Sequence, residues 1–526
     1  MPAGRGSRPA GSVLVLVVLT LGTWLLFVLD RAPGTDAALR GFPLDDGWIH
    51  MVYARSLVTE GGFHYNAGVP EAGMTSPLWV VLLAGLHVIL GTATDAAARV
   101  VVGAKALSLA FGVGGVLALR GLARDLGESE PVAFLAAAIA ALDPSLAFSR
   151  AGGMEVPLFV LLVLVALRGA LAGRPVLTGA LAGLSLVARP EGLALFPVYA
   201  ALLLRREIRS GPGAGRRLAL AALLAALPAI AYSAYCLRAV GAPLPNTFYA
   251  KFRPQGLLSL DHFLFGWRNY VRGNLPYFSL EIGVFLATLG AVRLALRRGL
   301  AGLAPVAAGT ALFVSALASR TYAPGHYFYW ERWLIPSFPF LHLAMAVGAG
   351  EIFAAFASFR AGARPRGSDA NRGRRRSRAW LAAGVAALAL LAWRLPSALA
   401  ERASRFAWNA QNIEEINVAL GRWVDEHLPE DAVVAVNDAG AIRYFADRTV
   451  IDLLGLNDHR ILRRDPNRGF EPLLELGVGY FVIFPSWFPD IERLLPLRQI
   501  HLVRSPHYTI CEGPQDLMVI YRLEKP

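Results

Sequence analysis

The chain has 526 residues, 55% hydrophobic and 17% charged, with mean hydropathy +0.47 and a formal net charge of +13. Soluble domains average about 45–50% apolar and about 25% charged residues, so a string of soluble domains is excluded. Residues 401–526 carry 14 basic and 19 acidic side chains, which leaves 37 basic and 19 acidic in residues 1–400. A basic surplus that coincides with the apolar part excludes a disordered basic tail, and no nucleic-acid partner is expected. It points to a multispanning membrane protein with Arg-rich cytoplasmic loops.

An apolar helix of about 20 residues crosses a bilayer. In chain order the candidates are Val13–Leu29, Val100–Leu119, Val132–Phe148, Val156–Leu171, Val176–Val187, Gly192–Leu204, Leu218–Leu237, Leu280–Leu296, Leu303–Leu317, Leu334–Phe356 and Ala379–Trp393. Two of these meet at Ala188-Arg189-Pro190-Glu191 and form either a hairpin or one broken helix. Eleven spans with the N-terminus inside put every Arg cluster on the cytoplasmic side, as the positive-inside rule requires. Val13–Leu29 has no small-residue cleavage site after it and is read as a retained span. Leu78–Leu90 is short and is placed as an interfacial or re-entrant helix.

This arrangement puts residues 30–76, 149–155, 238–279 and 320–332 outside, and the conspicuous polar and aromatic residues fall there. From about residue 396 the character changes. Ile413–His427 reads as an amphipathic helix, and Ala432–Val436, Thr449–Leu453, Tyr480–Phe484 and Leu517–Tyr521 read as short strands. The expected fold is therefore an α-helical multispanning domain, residues 1–395, with a first outer loop at 30–76. A small extracytoplasmic α/β domain follows at residues 396–526. Cys236 and Cys511 are too few for a disulfide framework. Three lysines stand against 48 arginines, and Lys251 is the one in an outer loop between spans.

The first outer loop contains Asp45-Asp46-Gly47-Trp48-Ile49-His50 ahead of a helical pattern that stops at Gly61-Gly62. Asp46 is either a helix N-cap or, with Asp45, half of a carboxylate pair in which one member is a general base. The longer stretch DDGWIHMVYARSLVTEGGFHYNAGVPEAGMTSPLW at 45–79 resembles the first outer loop of the GT-C superfamily, the lipid-phosphosugar-dependent membrane glycosyltransferases. Within it the chain is similar to the branch of terminal arabinofuranosyltransferases. Gly153-Met154-Glu155, Ala188 to Gly192, PLPNTFYAK at 243–251, Asn437-Asp438-Ala439-Gly440 and Ile451 to Asp458 match in the expected order. Gly47 and Trp48 depart mildly from the small residue and aromatic that usually follow the acids.

The resemblance implies inverting transfer of a sugar from a polyprenyl phosphate donor to an envelope glycan or glycolipid. The site would lie on the outer face of a bacterial cytoplasmic membrane. Asp45 or Asp46 would be the base, and Lys251, Arg189, Arg332 and Arg320 are candidate cations for the departing phosphate. Glu155, His50, Tyr249, Asn246 and Trp330 are candidate sugar or acceptor contacts. Several have a structural alternative: interface snorkelling for Lys251, an ion pair with Glu191 for Arg189, an ion pair with Arg150 for Glu155, and an aromatic belt for residues 320–333. Asp45, Asp46 and Glu155 would supply hard oxygen ligands if Mg²⁺, Mn²⁺ or Ca²⁺ is used. Asp438, Arg443, Asp452, Asn457 and Asp458 are acceptor contacts or turn and cap residues. Competing readings are a transporter or lipid flippase, favoured by Lys105 within a span, and a non-catalytic scaffold.

Overall fold

The computed structural model describes residues 8–29, 32–207, 211–251, 264, 280–319, 332–360, 393–464, 469–507 and 516–524. It is a helical body joined to a small mixed sheet. Among the described residues five helices are long and apolar enough to cross a membrane, or six if one bent pair forms a single span. The expected Val156–Leu171 and Val176–Val187 spans are shorter apolar helices, and Ala379–Trp393 lies almost wholly outside the described residues.

The bent pair is α5 (Glu130–Leu142) and α6 (Pro144–Ala151), which meet at 60° where a single straight span was expected. Pro144 disfavours a helical conformation at Asp143, and Asp143 instead accepts a hydrogen bond from the Leu146 amide at 2.7 Å, capping α6. The carbonyls left over at the end of α5 are satisfied by Arg150, which donates to Ala140 and Ala141 at 3.1 and 2.6 Å. Arg189 and Pro190 break the chain in the same way. Arg189 is extended between α8 (Pro175–Ala188) and a 3₁₀ turn, Pro190–Leu195, that leads into Phe196–Glu207.

Close helix approach uses small residues, as is common in membranes. A side chain at Gly179 or Gly183 of α8 would strike the backbone of Ala214–Val240 at Ala221, Leu224 or Ala225.

The first loop carries α2 (Asp46–Thr59), a small hairpin of β1 (His64–Asn66) and β2 (Val69–Pro70), and α3 (Pro77–Leu90). At 14 residues α3 is about 21 Å long, less than the hydrocarbon thickness of about 30 Å, and it packs on α2.

The C-terminal sheet has the order β4-β3-β5-β7-β6, with β3 (Val433–Val436), β4 (Thr449–Asp452), β5 (Tyr480–Ile483), β6 (Leu497–Arg504) and β7 (Leu517–Leu523). β3 runs parallel to both β4 and β5, while β7 is antiparallel to β5 and β6. β6 is absent from the sequence reading because its exposed, Arg- and His-bearing edge lacks an apolar run. The expected helix over 413–427 is interrupted: a π turn at Glu414–Val418 precedes Ala419–His427.

Loop and sheet are bound together. Asn66 Nδ2 donates to the Val450 carbonyl at 2.8 Å, and the Val450 amide donates back to Asn66 Oδ1 at 2.9 Å. Tyr65 Oη donates to the Ala439 carbonyl at 2.7 Å, and Arg443 Nε donates to the Tyr65 carbonyl at 2.7 Å. Trp48 lies against Tyr444 and Phe445, with ring centroids 5.0 and 4.9 Å apart.

Candidate active site at the first loop

The two adjacent aspartates have different partners. Asp45 occupies the position before α2 but makes no side-chain cap there. Its carboxylate instead accepts the Gly440 amide at 2.6 Å and the Ala441 amide at 2.8 Å, so both oxygens are bound by the sheet region. Gly440 is required by close approach: a Cβ there would overlap the Asp45 carbonyl and stand 2.8 Å from Asp45 Oδ2. Burial and the charge of Asp438 push the Asp45 carboxyl well above its ordinary range, against the pull of the two amides.

Asp46 is the first residue of α2 and faces cations. Arg332 Nη1 bonds Asp46 Oδ2, and the Arg332 guanidinium lies 4.4 Å from the Trp333 ring centroid. Burial alone would raise the Asp46 carboxyl; the charges of Arg332 and Lys251 overcome it and hold the group well below the usual carboxylate range. Lys251 ends the short helix Asn246–Lys251. That helix is fixed by the Asn246 amide on the Ala72 carbonyl at 2.8 Å and by Asn246 Nδ2 on Glu71 Oε2 at 2.7 Å.

His50, one helical turn after Asp46, is buried. Burial pushes its imidazole down while Glu155 and Asp46 pull it up, and its Nδ1 has no hydrogen-bond partner among the described residues. Glu155 pairs with Arg189 at 2.6 Å, not with Arg150, because Arg150 is engaged by the end of α5. Arg189 also holds Glu191 at 3.0 Å and so lies between two buried carboxylates. Tyr249 is half-exposed beside Phe248, and Asn246 is buried on Glu71. Arg320 and Trp330 lie outside the described residues. Lys105 donates to the Ala38 carbonyl at 2.6 Å and lies 4.8 Å from the Phe406 ring centroid, a structural tether for the loop.

Of the sheet-region candidates, four are bound into the structure. Arg443 ties Tyr65, and Asp452 accepts from the Leu454 and Asn457 amides at 2.9 and 2.8 Å. Asn457 accepts from Tyr53 Oη at 3.1 Å, and Asp458 caps His459–Leu462. Asp438 is half-buried, accepts from Asn417 Nδ2 at 2.9 Å, and is near enough to Asp45 and Asp46 to exchange charge effects with them.

Asp45, Asp46 and Glu155 do not converge as a cation cage: amides bind the first, Arg332 the second and Arg189 the third. The described group with metal-ligand spacing is Glu71, Asp458 and His459, whose ligand atoms lie within 4.8 Å of one another. There His459 bonds Glu71, and Asp458 is paired with Arg460 at 2.6 Å. Glu71 and His459 did not stand out as site residues because their meeting joins positions 388 apart.

Residues 408–520 match a family model described as Domain of unknown function (DUF8728). No curated protein matches the chain by sequence. Among solved structures, ArnT from Cupriavidus metallidurans in the apo state aligns over 98% of both chains, with TM-score 0.58 and 16% identity. The fold is that of ArnT. The same protein bound to undecaprenyl phosphate aligns with TM-score 0.58 and 15% identity over 98% of both chains. The Archaeoglobus fulgidus oligosaccharyltransferase, tethered with an acceptor peptide, aligns over 90% of this chain and 69% of its own, with TM-score 0.58 and 13% identity. ArnT and the oligosaccharyltransferase are GT-C enzymes, so the expected GT-C fold is met at the level of architecture.

Proposed function

We propose that the chain is an inverting glycosyltransferase. It moves a sugar from a polyprenyl phosphate to a hydroxyl of an envelope glycan or glycolipid at the outer face of a bacterial cytoplasmic membrane. The observation that carries this reading is Asp46 at the head of α2, bonded by Arg332 and within the field of Lys251, in a fold shared with a protein bound to undecaprenyl phosphate.

The acceptor oxygen attacks the anomeric carbon from the side opposite the phosphate. The new C–O bond forms as the bond from carbon to phosphate oxygen breaks, that electron pair leaves on the phosphate, and Asp46 takes the hydroxyl proton. Asp45 is the poorer choice of base because both its oxygens hold amides. Arg332 and Lys251 stabilise the phosphate as its charge grows. The same cations suppress the basicity of Asp46 while they remain on it. Their shift toward the departing phosphate raises its proton affinity as the proton must be removed. The sequence resemblance directs the choice of donor first to polyprenyl phosphate arabinofuranose.

The test is transfer by purified protein in detergent from a panel of radiolabelled polyprenyl phosphate sugars, with Asp46→Asn alongside. Transfer by the wild type and its near-abolition in the variant is expected. No transfer from any donor, or undiminished transfer by Asp46→Asn, would remove the proposal. Cleavage of residues 396–526 by protease added outside intact spheroplasts tests the orientation.

A further inference from the structure

The sheet region does more than pin Asp45. Asn437–Gly440 follows the C-terminal end of β3, and β3 is the strand from which parallel partners depart on both sides, β4 on one and β5 on the other. Crevices at such switch points are where open α/β sheets bind ligands. In this chain the first loop packs against that end of β3, because the residues that bind Asp45 belong to this turn and the helix after it.

Asp438 lies in that turn. Its hydrogen-bond partner among the described residues is Asn417, whose Nδ2 donates to Asp438 Oδ2 at 2.9 Å. Asn417 is fully buried, and its Oδ1 has no partner among the described residues. It sits in the π turn Glu414–Val418, a helix distortion found frequently at functional sites. A buried amide oxygen without a donor is costly, and the Asn417 amide spends its other end fixing the Asp438 carboxylate, which is the partly exposed acceptor of the two.

We infer that Asp438, oriented by Asn417, is the acceptor-side carboxylate of the site and accepts a hydrogen bond from a hydroxyl of the sugar that receives the transferred residue. The inference rests on the sugar-transfer reading of Asp46. It divides the site by charge. Lys251 and Arg332 serve the anionic donor phosphate, and Asp438 with Asn417 serves the neutral, donor-rich acceptor. Burial and the charges of Asp46 and Asp452 push the Asp438 carboxyl up to about 6, so it is ionised and strongly accepting at neutral pH.

The test uses full-length protein in lauryldimethylamine oxide, a detergent without a sugar. Methyl glycosides and disaccharides of glucose, mannose, galactose and arabinofuranose are the acceptor probes, read by saturation-transfer NMR. Undecaprenyl phosphate is the donor-side probe, read as a rise in Tm. Asp438→Asn and Asn417→Ser are each expected to weaken glycoside binding about tenfold while the undecaprenyl phosphate shift persists. In transfer assays the acceptor KM rises by a similar factor and the donor KM does not. Glycoside binding that is equal in all three proteins, or absent from the wild type, would overturn the inference. Asp438-dependent glycoside binding without transfer from any donor would leave a glycoside site at Asp438 but remove the transferase reading, and with it the acceptor role. If Asp438→Asn lacks a cooperative melt, Asn417→Ser and Asp438→Glu carry the comparison.

Discussion

Asp45 and Gly440 are 395 positions apart, and the Gly440 amide donates to the Asp45 carboxylate at 2.6 Å. This contact turns one member of an acidic pair into a clasp and leaves the other to face cations. Gly440→Ala places a methyl group on the Asp45 backbone and forces the two apart. The expected loss is about 1–3 kcal/mol, the scale of a buried hydrogen-bonding group left unsatisfied. A clearly lower Tm in detergent would register it, and an unchanged Tm would count against the clasp.

Asp46→Asn removes the proposed base and should lower kcat/KM by about 10²–10⁴-fold. Arg332→Gln removes the nearest cation, so the Asp46 carboxyl moves up toward its ordinary range. The acid limb of the pH–rate profile should therefore move to higher pH in Arg332→Gln. A limb that stays in place would separate Asp46 from the titrating base.

Glu155→Gln leaves Arg189 buried with one carboxylate in place of two. Glu191 still neutralises Arg189, so the expected loss is that of one charge-assisted hydrogen bond, about 1.5–3 kcal/mol, read as a lower Tm. Adding Arg189→Met should lower Tm further, because Glu191 is then buried without its cation. An equal Tm in the single and double variants would count against this pairing.

Asp438 holds its proton to about pH 6 in the folded chain, against an ordinary value of 3.8. The folded state thus binds more protons than the unfolded one between about pH 4 and 6. Stability should fall as pH rises through that window, by about 3 kcal/mol at most. Burial sets most of the shift, helped by the charges of Asp46 and Asp452 and opposed by the Asn417 amide. Asp438→Asn should flatten the slope in a Tm series from pH 4 to 7, and an equal slope in both proteins would assign it elsewhere.

The membrane class, the acidic loop and the α/β character of the C-terminal region were legible because each is written in local pattern. Long apolar runs report burial in lipid, and short apolar runs with helical patterns between them report an α/β sheet. The DDGW, ARPEG and PLPNTFYAK stretches stand out because helix breaks and polar residues at a membrane edge are costly and therefore conspicuous. Span lengths were less legible, since the bend at Asp143-Pro144 comes from a cap and an Arg150 side chain reaching back across it.

Composition and local pattern thus determined the helical membrane class and which short polar segments stand out within it. Only the tertiary structure divided the roles within them. It gave Asp45 to the Gly440 and Ala441 amides, Asp46 to Arg332, and Glu155 to Arg189 rather than to Arg150. It also brought Asn417 to Asp438 through a π turn that no residue pattern announces. The physical reason is that a carboxylate's function depends on its partners. Here those partners come from segments far apart in the chain, where only the folded packing decides which donor arrives.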